Sequence, residues 1–428
     1  MVLFVSPLAS SPSSGTVPTA VPEEPDSVPV FQPVDTDSLP AELTVSAVID
    51  EEGYGLLMKQ GARYQESHPE LEIHWNRIEP EDADTDQEWL AIADQADVVL
   101  VPNEWIRLLA VSGKLSPVDT AFVGEAQSEQ FDALISQVKW NLYLWGVPKD
   151  FDPYVLVWNR NVLEAVRSET DGMELPLKPE QWQSLPQKLR DAGLVSNWLA
   201  IDRKDPYALL AWLGAVTGER EDVLFEADAK TWGERPLEAA LTLLAQEQAG
   251  IASAGPSEDP GFWPAFAAGR YAAAIVRNSE AEQAFRELPD SSSAALKIDR
   301  ESWNSAFVWP GGTSFGLSSG SNNKEAAIGL IAEMTSEDNQ WQNYLATDRL
   351  PVYRSLYEGS KDMLPVSVAV AQRFPNQATV SVEPGIPSRA SLLKSLWFKW
   401  LAGGITLPDW RARWEASAGL LAELESDD

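Results

Sequence analysis

The sequence predicts an α/β protein of more than one domain, and three observations carry that expectation. The chain has 428 residues, too many for one simple core. Hydrophobic residues make up 44% of it, enough to fill large interiors. From Leu43 onward, short runs of strand character alternate with stretches of helical periodicity, the order that builds a mostly parallel sheet covered by helices.

Residues 43–49 form the first expected strand. Tyr54, Leu57, Met58, Gly61 and Tyr64 then recur at helical spacing. Residues 71–75 alternate apolar and polar as a second strand, Trp89 opens a short helix, and 98–101 is apolar enough for a buried strand. A helix over 105–111 is stopped by Gly113. A second series begins near Leu142, with strands at 142–147, 154–158, 198–201, 271–276 and 314–318 and helices at 159–166, 206–215, 237–248 and 262–268. Beyond Asn323 the pattern is mainly helical, over 324–334, 338–346, 388–401 and 408–424. No repeat of fixed period is present. Residues 1–40 differ from the rest. An apolar start is followed by a stretch rich in Ser, Pro, Thr and acids, which cannot bury enough surface to offset ordering entropy. A disordered tether or signal remnant is expected there.

Composition removes several function classes. The net charge is -33, so nucleic acid and anionic membrane surfaces are repelled. No run approaches eighteen apolar residues, so no membrane-spanning helix is expected. The absence of cysteine excludes disulfides, thiol catalysis and zinc–thiolate sites, and leaves no lipobox cysteine for a lipid anchor. The two histidines, His68 before Pro69 and His74 in a strand, argue against a histidine-centred triad or metal site. No cofactor and no metal are expected, and the chain is expected to be a monomer.

Several segments, in order, resemble one family. Residues 43–49 followed by Asp50, Glu51, Glu52, Gly53 and Tyr54 have the look of a first strand and ligand-facing loop. Residues 97–101 with Asn103, Glu104 and Trp105, then 112–119 (SGKLSPVD), match a strand, acid, helix and G-x-L-x-P-[LV]-D pattern. Gly146, Val147, Pro148, Asp152 and residues 154–159 match a strand entering a second lobe. Phe266 to Arg270 (FAAGR), Gly311 to Leu317 (GGTSFGL), residues 323–334, Leu350 to Val352 and Gly385 to Pro387 complete the series. Over residues 43–424 the chain is similar to the family 1 extracellular solute-binding proteins of ABC transporters, which include the maltodextrin-binding type. The resemblance implies a two-lobed, periplasmic-binding-protein-like fold of type II, with hinged lobes and a discontinuous chain. One lobe would hold residues 41–148 and 316–350, the other 149–315 and 351–428. It further implies an extracytoplasmic receptor, periplasmic or on the cell surface or secreted, that binds a sugar or oligosaccharide between its lobes and delivers it to ABC permease subunits.

Sugars present fans of hydroxyls and apolar ring faces, so a receptor needs carboxylates, amides and aromatic rings. The resemblance places Glu51, Glu52, Glu104, Trp105, Asp152, Asp205 and Tyr207 in the cleft, with Asn278. The maltodextrin platform is not reproduced. Glu52 stands where that type carries lysine, Ser279 and Leu393 where it carries stacking tryptophans, and Trp397 where it carries arginine. Trp105, Trp212, Trp309 or Phe315 would then supply the stacking, from a chain with 18 Trp. An alternative for Asp205 is a helix N-cap before Pro206. So many acids also raise the alternative of a cationic or amino-sugar ligand, with Lys149, Arg277 and Arg389 as balancing cations. Two further alternatives are a sensor rather than a transport receptor, and a glycoside hydrolase using Asp152 and Asp205 as a carboxylate pair.

Overall fold

The computed structural model describes residues 41–80, 83, 85–119, 122, 129–167, 174–194, 197–218, 236–304, 308–359, 364, 373–378 and 383–426. The tether expected over residues 1–40 lies outside them. The strands in chain order are β1 (Ala41–Val48), β2 (Leu71–Ile78), β3 (Val98–Pro102), β4 (Leu115–Ser116), β5 (Lys139–Trp140), β6 (Tyr143–Leu144) and β7 (Val147–Asp150), then β8 (Tyr154–Asn159), β9 (Leu199–Ala200), β10 (Ile251–Ala252), β11 (Ala273–Arg277), β12 (Leu296–Asp299) and β13 (Thr313–Ser318).

Two sheets organise two lobes. The first runs β2-β1-β3-β13-β4, with β7 also paired to β13. β1 lies parallel to β2 with Ala41 opposite Leu71, and parallel to β3 with Val45 opposite Val98. The second runs β10-β9-β11-β8-β12. Neither sheet is as parallel as the strand–helix alternation suggests. β13 is antiparallel to β3, and β8 is antiparallel to both β11 and β12. The reason is the route of the chain: β8 and β13 are the strands by which it arrives from the other lobe, so each enters against the local direction.

Side chains alternate across β8 and divide the second lobe's interior into two layers. Tyr154, Leu156 and Trp158 face one layer with Trp182, Trp198 and Trp212, closed below by Trp397, Trp400, Trp410 and Trp414 from the two C-terminal helices. Val155 and Val157 face the other, with Phe151, Phe262 and Phe266. The first lobe's core is built on Leu43, Val45, Ala47 and residues 98–101, covered by Leu57, Leu330 and Ile331. Each large apolar side chain so buried contributes roughly 1.5–3 kcal/mol.

Local chemistry sets the helix ends. Asn159 accepts from the Val162 N–H at 3.0 Å and starts helix Arg160–Val166. Gly218, at φ +68°, ends helix Pro206–Thr217 in the left-handed conformation that glycine adopts freely. The strand expected over 142–147 is interrupted. Asn141 and Leu142 both have positive φ, the geometry of a tight hairpin turn between β5 and β6.

The chain passes between the sheets three times, and the passages are tied together. Phe151 and Leu350 exchange backbone hydrogen bonds at 2.9 and 3.0 Å, and the Asp152 N–H donates to the Pro310 carbonyl. Asp150 is fully buried beside them. It pairs with Lys149 at 2.9 Å and accepts from both the backbone N–H and the hydroxyl of Thr313 at 3.0 Å. Strand pairing reaches Asp150 and resumes at Thr313, so the lobe boundaries expected at 148 and 316 fall inside strands.

Candidate functional site: the cleft between the lobes

In an open α/β sheet the crevice forms beyond the carboxyl ends of the parallel strands. Both sheets here turn those ends toward the same space. Asp50 follows β1, Pro80 follows β2 and Glu104 follows β3. From the other lobe, Asp202 and Asp205 follow β9, and Arg277 ends β11. Together they line a cavity of about 490 Å³ and an adjoining one of about 240 Å³, which share Val48, Pro80, Pro102, Glu104 and Arg277.

Of the acids expected from the sequence, Glu104, Asp152 and Asp205 line this space, and so do Trp105 and Tyr207. Glu104 is 8% exposed and lines both cavities. Burial pushes its carboxyl up to about 7, against the opposing effect of Arg277, and the Tyr207 hydroxyl of the other lobe hydrogen-bonds to it. Its Oε2 has no hydrogen-bond partner among the described residues. Asp205 serves two purposes. Its Oδ1 accepts the Tyr207 and Ala208 N–H groups as the cap of helix Pro206–Thr217, and its Oδ2 takes the Tyr154 hydroxyl and faces Arg277 at 3.5 Å. Asp152 is engaged on both oxygens by Ser279, through the N–H at 2.9 Å and the hydroxyl at 2.6 Å. Burial raises its pKa while Arg277 and Arg349 oppose the rise.

Several expected residues lie elsewhere. Asp50, not the next residue, caps helix Glu51–Ser67 by accepting the Gly53 N–H at 2.7 Å. Glu51 and Glu52 therefore sit in the first turn, exposed, where the helix dipole favours acids, and Glu51 pairs with Arg77 at 2.9 Å. Asp50 faces the cavity instead. Trp212 is fully buried against Trp182 and Trp198, and Phe315 is buried in the first lobe's core, because both occupy inward positions of central elements. Asn278 is buried behind the cleft and accepts from the Arg300 Nε at 3.0 Å. Trp309 does not line the cavity; it stacks behind Tyr207, ring centres 4.3 Å apart and 18° from parallel. Lys149 is held in the Asp150 pair, and Arg389 is buried outside the lining.

The sequence reading missed Trp89, which stacks on Trp105 at 4.7 Å and lines the same cavity. It also missed Lys204, Glu258, Lys394 and Arg349. For Asp202 and Arg349 a signal existed: one follows a strand end and the other adjoins the Leu350 crossing. Among the described residues no cluster of three or more His, Asp or Glu is arranged to hold a metal ion.

Two lobes, three tied crossings and a polar, aromatic cleft lined from both sides define a two-lobed solute receptor. The chain belongs to the bacterial extracellular solute-binding protein family, whose sequence profile matches residues 47–341. No curated protein matches it by sequence. Among solved structures it is similar to the GacH receptor of Streptomyces glaucescens, studied unliganded and with acarbose, at 16% identity and TM-score 0.67 over 90% of this chain and 99% of that one. It is similar to the sugar-binding protein MalE of Xanthomonas citri at 16% identity and TM-score 0.68, over 90% and 98%. The maltotriose-binding protein of Thermus thermophilus, bound with maltotriose, gives 18% identity and TM-score 0.60, over 88% and 100%. At such identities the likeness is one of fold.

Proposed function

We propose that this chain is an extracytoplasmic receptor that encloses a carbohydrate between its lobes and passes it unaltered to the permease subunits of an ABC importer. The carrying observation is the cleft itself, where Trp105 from one lobe and Tyr207 from the other adjoin carboxylates and Arg277, Trp89 backing Trp105 from the core. Rings of that kind cover the C–H face of a sugar, and the charged groups take its hydroxyls. Solved relatives described with acarbose and maltotriose support the same class of ligand. The lobes are residues 41–148 with 316–350 and residues 149–315 with 351–428, the strand tails at Asp150 and Thr313 lying in the crossings. Closure turns on those crossings, since a ligand touching both faces favours the closed state. The receptor works outside the cytoplasm as a monomer and has no business with nucleic acid, given its charge.

Hydrolysis of the bound sugar is disfavoured by the commitments of the two candidate carboxylates. Asp152 is held by Ser279, and Asp205 caps a helix while accepting from Tyr154. Neither is left free as an acid and base pair. The test is a thermal-shift screen over mono- and oligosaccharides, with the hits titrated by calorimetry and recovered afterwards. One sugar class raises the melting temperature, binds one per chain and is recovered intact. Failure of every sugar to stabilise the protein, or repeated turnover of one, overturns the reading.

A further inference from the structure

The cations of the larger cavity have partners of their own. Arg277 faces Asp205 at 3.5 Å and lies over the Tyr154 ring, 5.1 Å from its centre, and Lys204 pairs with Glu258 at 2.5 Å. In the adjoining cavity Arg349 holds Asp50 at 3.0 Å. Glu104 is different. It is more than nine-tenths buried, lines both cavities and leaves Oε2 without a hydrogen-bond partner among the described residues. That oxygen is closed off from solvent as well as unpaired, so the carboxylate is costly to ionise in the empty cleft, and a cation brought against its accessible side gains more than an exposed contact would give. Trp105, backed by the buried Trp89, and Tyr207 line the same space. A carboxylate beside aromatic faces is the environment that stabilises an organic cation.

Resting on the carbohydrate reading above, we propose that the ligand carries a protonated amine, as an amino sugar or an amine-bearing oligosaccharide does, and places it against Glu104 between the Trp89–Trp105 pair and Tyr207. The amine supplies a charge to match the carboxylate, while the remaining hydroxyls and ring faces meet the rest of the cleft. A neutral sugar can offer the carboxylate a hydroxyl but brings no charge of its own.

The groups that set the charge of Glu104 are on every side of it. Tyr207 and Asp205 face it from the helix Pro206–Thr217 and its cap, and Arg277 faces it from the end of β11. Asp202, Lys204, Glu258 and Lys394 line the same cavity, and Asp50, Asp152 and Arg349 the adjoining one. Burial holds the empty-state carboxyl at about 7, so at lower pH an incoming ammonium must first displace a proton. At pH 6 about nine-tenths of Glu104 is protonated in the empty cleft, so amine affinity there is up to about tenfold below that for the ionised carboxylate, and loss of the amine's own proton limits the rise above neutral pH. Affinity for a neutral sugar has no such reason to rise with pH.

The experiment is calorimetric titration of the full chain with three β-1,4-linked disaccharides that differ only at C2: the diglucosamine, its N,N′-diacetyl form and cellobiose, each at pH 6, 7 and 7.5. The same titrations are run on Glu104→Gln, which keeps the shape of the side chain and removes its charge. The proposal predicts that the diglucosamine binds at least about tenfold tighter than either neutral analogue at pH 7.5. The preference shrinks at pH 6 and is lost in Glu104→Gln. Equal or tighter binding of a neutral analogue overturns the amine assignment and leaves the carbohydrate reading standing. So does an amine preference that survives Glu104→Gln, because the carboxylate is then not its source. If no disaccharide binds and the broad sugar screen is also blank, both readings fall; if the broad screen finds only neutral sugars, this one alone falls.

Discussion

Gly312 is the hinge position with the least room for a side chain, and replacing it is the sharpest structural test. Its φ is +90°, and a Cβ added there would lie 2.2 Å from the Asp150 carbonyl oxygen and 2.6 Å from the Phe151 Cα, both backbone atoms. Gly113 is a natural control. Its φ is +68°, but nothing lies within 4 Å of its added Cβ. Both Gly→Ala changes force an L-residue into left-handed backbone, at about 1–2 kcal/mol each. Only Gly312→Ala must also push two crossing strands apart. That movement breaks the bond from Asn103 N–H to the Gly312 carbonyl or those from Thr313 to Asp150. Each buried group left unpaired adds about 1–3 kcal/mol. The expected losses are about 3–5 kcal/mol for Gly312→Ala and about 1–2 for Gly113→Ala. Urea unfolding followed by tryptophan fluorescence reads the difference, and the m-values report whether both variants unfold as the parent does. If the two variants lose the same stability, the crossings are not packed as described and the hinge account is wrong.

Asp150→Asn leaves Lys149 buried without its counter-charge and is expected to cost about 3–5 kcal/mol in the same assay. Burial alone would raise the Asp150 pKa, but Lys149 and Arg349 hold it below the ordinary aspartate value. Its stabilising contribution is therefore present above that ordinary value and is lost as pH falls through the folded one, which an acid unfolding series on parent and variant will show. Glu104 has the opposite sign. Its pKa is raised from 4.5 to about 7, so without ligand stability falls as pH climbs between those values, by up to about 3 kcal/mol. Glu104→Gln should remove that loss and melt higher than the parent at pH 8. Trp212→Ala should cost about 3–5 kcal/mol in stability, and because Trp212 lies outside the cleft, calorimetry should find ligand affinity unchanged in the folded fraction. Tyr207→Ala should do the reverse and weaken ligand binding, since its ring lines the cavity and its hydroxyl meets Glu104 across it.

What the sequence revealed divides along physical lines. Strands such as 43–49 and 98–101 and helices such as 324–334 were legible because burial imposes a period, and local patterns carry that period. Helix Asp132–Val138 and helix Pro179–Asp191 were not foreseen, the second because Pro186 sits inside an otherwise amphipathic stretch. The antiparallel strands β8 and β13 follow from chain crossings, which no local pattern encodes. In the cleft, Glu104, Trp105, Asp205 and Tyr207 were expected from the family resemblance, and for the carboxylates a place after a strand end is a reason of its own. Asp50 was missed in favour of Glu51 and Glu52, since composition does not say which of three adjacent acids will cap the helix. Trp212 and Phe315 illustrate the other limit: a ring suited to stacking on sugar is equally suited to a core, and only the packing of the neighbouring element decides.

The absence of cysteine allows the central claim to be measured directly. Spin labels at Lys59→Cys and Glu180→Cys, both exposed and one on each lobe, report the separation of the lobes by pulsed dipolar spectroscopy. Saturation with the sugar selected by calorimetry should shorten that distance and narrow its distribution, with the tighter-binding ligand shifting it at lower concentration. A distribution that stays the same at saturating sugar would contradict a receptor that works by closing its two lobes on a ligand.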